Sequence, residues 1–154
     1  MILKFRRMNA FWLLVPVLVW NIVMGPRLAH PGFGFDNQAA PWLLISENIL
    51  RLPVMVLPIL MPLGWKTGRE KIGLGVYLVG LLLYLAAWIP LISAPSSAWS
   101  NSLAGFLAPA YTPLLWLLGI GLVAGWWPYL LLAAAFVTVH LAHWIEVFQI
   151  YSRG

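Results

Sequence analysis

Five apolar stretches run through this chain, and each is long enough, or nearly so, to cross a lipid bilayer as a helix. A crossing helix needs roughly 20 apolar residues, because the hydrocarbon core of a bilayer is about 30 Å thick. Short loops rich in Gly, Pro and Ser separate the stretches, so no large soluble domain fits beside them. The predicted spans are residues 9–25, 41–63, 72–92, 110–126 and 128–150.

The composition agrees with this interpretation. Hydrophobic residues make up 62% of the 154 residues and charged residues 8%, whereas a soluble domain carries about a quarter charged residues. A folded domain of this size still exposes about a third of its chain surface, which excludes a soluble enzyme, a nucleic-acid-binding protein and a disordered chain. The sequence predicts an all-α, multi-pass protein of the cell membrane, with residues 1–154 forming a single compact bundle of five transmembrane helices. Four helices are the alternative, with the last two stretches forming a broken hairpin.

The distribution of basic residues predicts the orientation in the membrane. Three basic residues lie within residues 4–7 and three within 66–71, whereas the opposite side carries only Arg27 and Arg153. Because Lys and Arg in short loops face the cytoplasm, the N-terminus is predicted inside and the C-terminus outside. The net charge of +5 is therefore expected to meet membrane lipids and not nucleic acid.

Several polar side chains fall inside the predicted spans, where each ionisable group costs roughly 2.5–3.5 kcal/mol on insertion scales. Residues 47–51 occupy an arc of about 100° on the second helix, and residues 140–146 occupy about 120° on the fifth. Both groups lie roughly 8–16 Å below the outer ends of their helices, so we expect them to meet in one buried site in the outer half of the bilayer. The predicted ligand-binding residues are Glu47, Asn48, Arg51, His140, His143 and Glu146.

Four interpretations of this polar group remain open. It is a structural network that fixes the helix register, or a pocket for a ligand or lipid headgroup with Arg51 as an anion clamp. It is a site for a divalent metal held by His140 and His143 together with Glu146 or Glu47, or it carries proton chemistry. Among the interpretations that assign a function the pocket is favoured, and the predicted function is binding or transport of a small amphipathic or anionic, lipid-like ligand.

Two alternatives to a binding protein follow from the same residues. An integral-membrane enzyme would use His140 or His143 as the base, Glu47 or Glu146 as its carboxylate partner, and Arg51 to stabilise an anion. An accessory subunit of a larger membrane complex would instead dock through its apolar faces.

Small residues and prolines add further expectations. Glycines within 73–80 and 119–125 permit close helix packing, either inside the chain or in a homodimer or larger complex. Prolines 53, 58 and 62 interrupt the second helix, and each frees a backbone carbonyl one turn earlier that needs a partner. Most of the ten tryptophans lie near predicted span ends, as interfacial anchors do. Four depart from that pattern, namely Trp20, Trp88, Trp116 and Trp144.

Overall fold

The computed structural model describes residues 8–153, which are predominantly helical and contain no strand. The basic residues within 4–7, which contributed to the predicted orientation, lie outside the described residues. The α-helices are α1 (Val15–Met24), α2 (Pro41–Val56), α3 (Gly68–Ser93), α4 (Leu103–Phe106), α5 (Ala108–Tyr111), α6 (Pro113–Ala124) and α7 (Trp127–Arg153). Short 3₁₀ segments cover Ala10–Leu13, Gly25–Arg27, Pro31–Gln38 and Leu57–Leu60.

Four helical segments are long and apolar enough to span a membrane, and they correspond to the first, second, third and fifth predicted spans. They are Ala10–Arg27, Pro41–Leu60, Gly68–Ser93 and Trp127–Arg153. The remaining predicted span, 110–126, corresponds to the shorter apolar stretch Ala108–Ala124, which is divided between α5 and α6. Most residues of α6 are buried by the surrounding helices. This central position explains its uninterrupted apolar sequence.

Local chemistry explains where α2 and α3 depart from their predicted limits. Thr67 and Glu70 form a reciprocal capping box that starts α3 at Gly68, four residues before the predicted start, because it satisfies free amide groups of the first turn. Pro58 ends the regular hydrogen bonding of α2 and frees the carbonyl of Val54. The hydroxyl of Tyr129 donates to that carbonyl at 3.2 Å, so the proline is accommodated by packing against α7.

Glycines bring α3 and α6 into direct backbone contact. A Cβ atom placed on Gly80 would lie 2.5 Å from the backbone nitrogen of Trp116, and one on Gly119 would lie 2.5 Å from that of Tyr77. Gly73 approaches the nitrogen of Val123 in the same way. These positions of the two predicted glycine faces are therefore occupied within the chain, as the internal alternative expects.

The turn from α6 into α7 depends on a glycine in the left-handed conformation. Gly125 adopts φ 64° and ψ 36°, the left-handed conformation that closes many helices. The backbone N–H of Trp126 donates to the carbonyl of Gly121 across this turn. Helix α7 then returns along the bundle and packs against α2 and the 3₁₀ segment Pro31–Gln38. This packing places the C-terminal half of α7 beside the N-terminal half of α2.

Candidate functional site

Glu47 is the centre of the contact between α2 and α7. Its carboxylate is 1% exposed and forms an ion pair with Arg51, one turn along α2. Oε2 lies 2.6 Å from Nδ1 of His143 in a hydrogen bond, and Oε1 lies 3.0 Å from Nδ1 of His140. The contact with His140 lacks the alignment of a hydrogen bond. The structure thus brings together side chains that the sequence placed on two separate helices.

The contacts continue on both sides of Glu47. Arg51 donates from Nη1 to Oδ1 of Asn48 at 3.1 Å. Nε2 of His143 lies 3.2 Å from Oδ1 of Asp36, at ion-pair distance but without hydrogen-bond alignment. The sequence placed Asp36 in the outer loop, where it could cover the site, but not among the ligand-binding residues. Its position depends on how the Pro31–Gln38 segment folds back onto α7. We refer to the connected side chains as the polar network, which consists of Asp36, Glu47, Asn48, Arg51, His140 and His143.

Glu146, which the sequence placed in the same site, lies outside the polar network. One of its carboxylate oxygens accepts a hydrogen bond from the backbone N–H of Ala40 at 3.1 Å. Glu146 therefore secures the chain just before α2, beside a shallow pocket that Trp42 and Gln149 also line.

Of the two carboxylates predicted to hold a divalent metal with the histidines, Glu146 consequently lies apart from them and Glu47 contacts both. His140 and His143 face Glu47, whereas Glu146 faces the start of α2. Within residues 8–153, no group of three or more His, Asp or Glu side chains has an arrangement that could hold a metal ion. The positive guanidinium of Arg51 also lies against the carboxylate that would be the best ligand, and this placement opposes a bound cation.

A cavity of about 400 Å³ lies directly beside the polar network. Arg51 and His140 belong to both, since they contact Glu47 and also line the cavity. The rest of the wall is largely aromatic, and a volume of this size is typical of small-molecule sites. The aromatic side chains that line it are Phe33, Tyr84, Trp88, Phe106, Trp116, Phe136 and Trp144.

The polar groups of Tyr84, Trp88 and Trp116 in the cavity wall were not predicted as site residues. The hydroxyl of Tyr84 donates to Oδ1 of Asn21 at 2.5 Å. Trp116 is 2% exposed, and its indole N–H is buried without an acceptor among the described residues. A signal for the wall was present in the sequence, because Trp88, Trp116 and Trp144 were among the tryptophans that did not match an interfacial position.

His30 lies between α1 and α2, outside the membrane-spanning segments, and it orders the Pro31–Gln38 segment. Its Nδ1 accepts a hydrogen bond from the backbone N–H of Gly32 at 3.1 Å, and its ring contacts Phe33, Phe106 and Tyr151. Burial lowers the pKa of His30, and a side-chain hydrogen bond with Asn101 offsets part of this effect. The neutral ring is therefore the form that this packing favours.

Comparison of the chain with models of known protein families, with curated proteins and with solved structures finds no match. The argument for function therefore depends on the polar network and the cavity that adjoins it.

Proposed function

We propose that this chain binds a small amphipathic, lipid-like molecule in the aromatic cavity, as a binding or transport protein of the cell membrane. The observation that carries the proposal is the shared wall: Arg51 and His140 belong both to the cavity and to the polar network. Aromatic rings suit the apolar body of such a ligand, and the polar wall suits its head. A purely structural network would not need an adjoining cavity of this size.

The exposed residues of the cavity wall support lateral access from the lipid. Asn21 on α1 and Arg51 on α2 are exposed, whereas Tyr84 and Trp116 deeper in the wall are buried. The side chain of Arg51 is 44% exposed. An opening between α1 and α2 would let an apolar molecule pass from the bilayer into the cavity without crossing an aqueous loop.

The proposal includes a topology for the whole chain as one domain. The chain crosses the membrane five times, with the Ala108–Ala124 segment as the short fourth crossing and the N-terminus in the cytoplasm. Three basic residues within 66–71 support this orientation by the positive-inside rule. The polar network then lies in the outer half of the bilayer, below the Pro31–Gln38 segment. Cysteine labelling from each side of a membrane vesicle, with single cysteines placed in the loops, tests this topology.

Filling the cavity tests the binding proposal. Ala110 lines the cavity and is buried, so Ala110→Phe should occupy part of the ligand volume. Ala135 is exposed on α7, and Ala135→Phe is the matched control. The purified proteins are incubated with a total lipid extract of the expression host and examined by native mass spectrometry. We expect a retained lipid-like adduct in the wild type and in the control, and its loss in Ala110→Phe. Equal retention in all three proteins would contradict the proposal.

One specific contact favours a second candidate function, an enzyme that acts on the same ligand. His140 faces the cavity while Glu47 lies behind it at 3.0 Å. This is the separation, but not the alignment, of the hydrogen bond between a general base and its orienting carboxylate, which often aligns only when substrate binds. Arg51 would stabilise negative charge that develops on the substrate. Incubating the lipid extract with wild-type protein, His140→Gln and the control His30→Gln tests this candidate. A new product that forms with wild type and His30→Gln but not with His140→Gln would support it.

A further inference from the structure

A second pocket lies apart from the aromatic cavity, between the first turn of α2 and the C-terminal half of α7. It is shallow and holds about 440 Å³, and the described residues that line it are different from those of the cavity wall. Glu146 supplies its charge, and Gln149 and Trp42 lie beside that carboxylate in the lining. We refer to it as the Glu146 pocket, and the binding function proposed above does not use it.

The carboxylate of Glu146 has no positive partner within the part of the chain that the structure describes. Its Oε2 accepts from the backbone N–H of Ala40 at 3.1 Å, and no Lys, Arg or His of residues 8–153 forms an ion pair with it. The cation on α2, Arg51, is paired with Glu47. Acidic groups on membrane helices are costly unless they are paired, so Glu146 favours a positive group that comes from outside the chain.

The position of Glu146 along α7 puts the pocket near the surface of the bilayer. Helix α7 has 27 residues and is therefore about 40 Å long, whereas the hydrocarbon core is about 30 Å thick. The excess length extends into the headgroup layers, and Glu146 lies about 10 Å from the end of the helix. Its carboxylate is therefore close to the boundary between hydrocarbon and headgroups. Trp42, which is 64% exposed, matches the tryptophan anchors that occupy this level.

An exposed apolar stripe leads from the Glu146 pocket towards the middle of α2. Trp42 lines the pocket and is the first residue of the stripe. Ile45, Ile49 and Leu52 follow it at intervals of three or four residues and therefore share its face of the helix. All four side chains are more than half exposed. A negative pocket at one end and an apolar track below it fit an amphiphile with a positive head and a hydrocarbon chain.

We propose that the Glu146 pocket binds the primary ammonium group of a phospholipid, phosphatidylethanolamine, in the leaflet that surrounds this end of α7. The ammonium pairs with Glu146 and donates to the amide oxygen of Gln149. Its charge lies against the ring of Trp42, and an acyl chain follows the stripe. A primary ammonium carries three N–H donors, whereas the trimethylammonium of phosphatidylcholine carries none. The pocket therefore prefers phosphatidylethanolamine.

Three phospholipids with identical dioleoyl chains test the proposal: phosphatidylethanolamine, phosphatidylcholine and phosphatidylglycerol. Each is titrated into the full chain in detergent, and native mass spectrometry measures the fraction that carries a lipid. Comparing the wild type with Glu146→Gln isolates this pocket, because glutamine keeps an oxygen for the N–H of Ala40 but removes the charge. We expect the affinity for phosphatidylethanolamine to fall about three- to fivefold, the size of one half-exposed ion pair. The loss should be smaller for phosphatidylcholine and absent for phosphatidylglycerol.

Matched variants assign the two contacts of the headgroup. Glu70→Gln makes the same change at the start of α3, where a glutamine preserves the capping box, and it should alter none of the three affinities. Trp42→Leu keeps an apolar side chain but removes the ring, and it should weaken phosphatidylethanolamine about two- to fivefold. Trp127→Leu is its control, since Trp127 is similarly exposed and lies at the other end of α7.

Three results would overturn the proposal. Equal weakening of all three lipids by Glu146→Gln would mean that the carboxylate does not select the headgroup. Glycerophosphoethanolamine, which lacks acyl chains, should bind far more weakly than the lipid, and equal binding would indicate a site for a small amine. A wild-type dimer that Glu146→Gln abolishes would show that a second copy of the chain occupies the pocket.

The same variants separate this inference from the proposed function. A lipid held in the Glu146 pocket should remain bound to Ala110→Phe and be weakened in Glu146→Gln. A ligand of the aromatic cavity should show the opposite pattern, because the two sites share no described lining residue. Each of the two proposals can therefore fail while the other holds.

Discussion

Two helix contacts in this protein are built on opposite principles. Between α3 and α6, glycines bring the backbones together, as at Gly80 and Trp116, and no ionisable side chain is needed. Between α2 and α7, a buried carboxylate at Glu47 contacts His143 and Arg51, and a cavity adjoins the polar side chains.

The difference indicates a division of roles within one small bundle. Close packing of small residues stabilises membrane helices through dispersion contacts, without the cost of placing charge in an apolar surrounding. The polar network places ionisable groups in an apolar surrounding, which is unfavourable for folding. The cavity beside it also lacks the dispersion contacts that a packed interior would provide. Features that are expensive for folding point to a function, so the α2/α7 contact is where we place the site.

The largest expected effect is the loss of the charge at the centre of the polar network. Glu47→Ala leaves Arg51 without its carboxylate and both histidines without their shared partner. We expect the free energy of unfolding to fall by about 3–5 kcal/mol, the usual range for a broken buried pair. Titration with denaturing detergent measures it. Glu146→Ala is the matched carboxylate control. It should lower the free energy of unfolding clearly less, because it removes one hydrogen bond from the backbone of Ala40 and no ion pair. Equal losses would remove the distinction between the two carboxylates.

A smaller loss is expected from a single methyl group in the glycine contact. At Gly80 the added Cβ would meet the backbone of Trp116 and Leu115, which cannot move as a side-chain end can. Gly80→Ala should therefore lower the free energy of unfolding by about 1–3 kcal/mol, the range for overpacking. Gly75 is exposed on the same helix, with no atom within 4 Å of an added Cβ. Gly75→Ala should be neutral or stabilising, and a comparable loss at both positions would show that α3 and α6 are not in direct contact.

How well the sequence predicted each contact depends on what determines the position of the residues in it. Helical spacing and depth along a span placed Glu47 and His143 in contact correctly, because both quantities follow from regular helix geometry. The same spacing placed Glu146 with them, since an arc of about 120° was treated as one face. The structure shows that Glu146 lies at the edge of that arc and faces Ala40.

Other features of the structure could not be predicted from the helical periodicity of the sequence. Asp36 belongs to an irregular segment, and its contact with His143 depends on backbone conformations that no repeat encodes. The predicted span 110–126 was treated like the others, because hydropathy responds equally to burial in lipid and to burial among helices. Its short length and the proline at each of positions 109 and 113 were the available signs that it differs.

A third prediction concerns the hydrogen bond that accommodates Pro58. The hydroxyl of Tyr129 donates to the carbonyl of Val54, and Tyr129→Phe leaves that buried acceptor unpaired while preserving the ring. We expect a loss of about 1 kcal/mol in the free energy of unfolding. Tyr111→Phe is the control, since Tyr111 is exposed and should change little. A larger loss than for Gly80→Ala would contradict the expectation that this single neutral hydrogen bond stabilises the fold less than the glycine contact does.

The smallest predicted effect is a pH dependence of stability, which is expected at the α2/α7 contact and not at the α3/α6 contact. All three histidines, His30, His140 and His143, lie at the α2/α7 side of the bundle or in the segment that covers it. Because burial lowers the pKa of His30 below its ordinary value of 6.5, the unfolded chain takes up a proton at this residue before the folded one does. Its contribution to stability is therefore complete above about pH 6.5 and is lost progressively as the pH falls below that value.

His30→Asn isolates this contribution, because an asparagine oxygen can still accept from the backbone N–H of Gly32 but does not titrate. Thermal melts in detergent between about pH 7.5 and pH 5, a window around the ordinary histidine pKa, should show the wild type losing more stability than the variant. His140 and His143 are present in both proteins, so the difference between the two curves belongs to His30. Parallel curves would mean that the His30 ring takes up a proton as readily in the folded protein as in the unfolded chain. The Pro31–Gln38 segment would then be a looser cover over α7 than its ring contacts indicate.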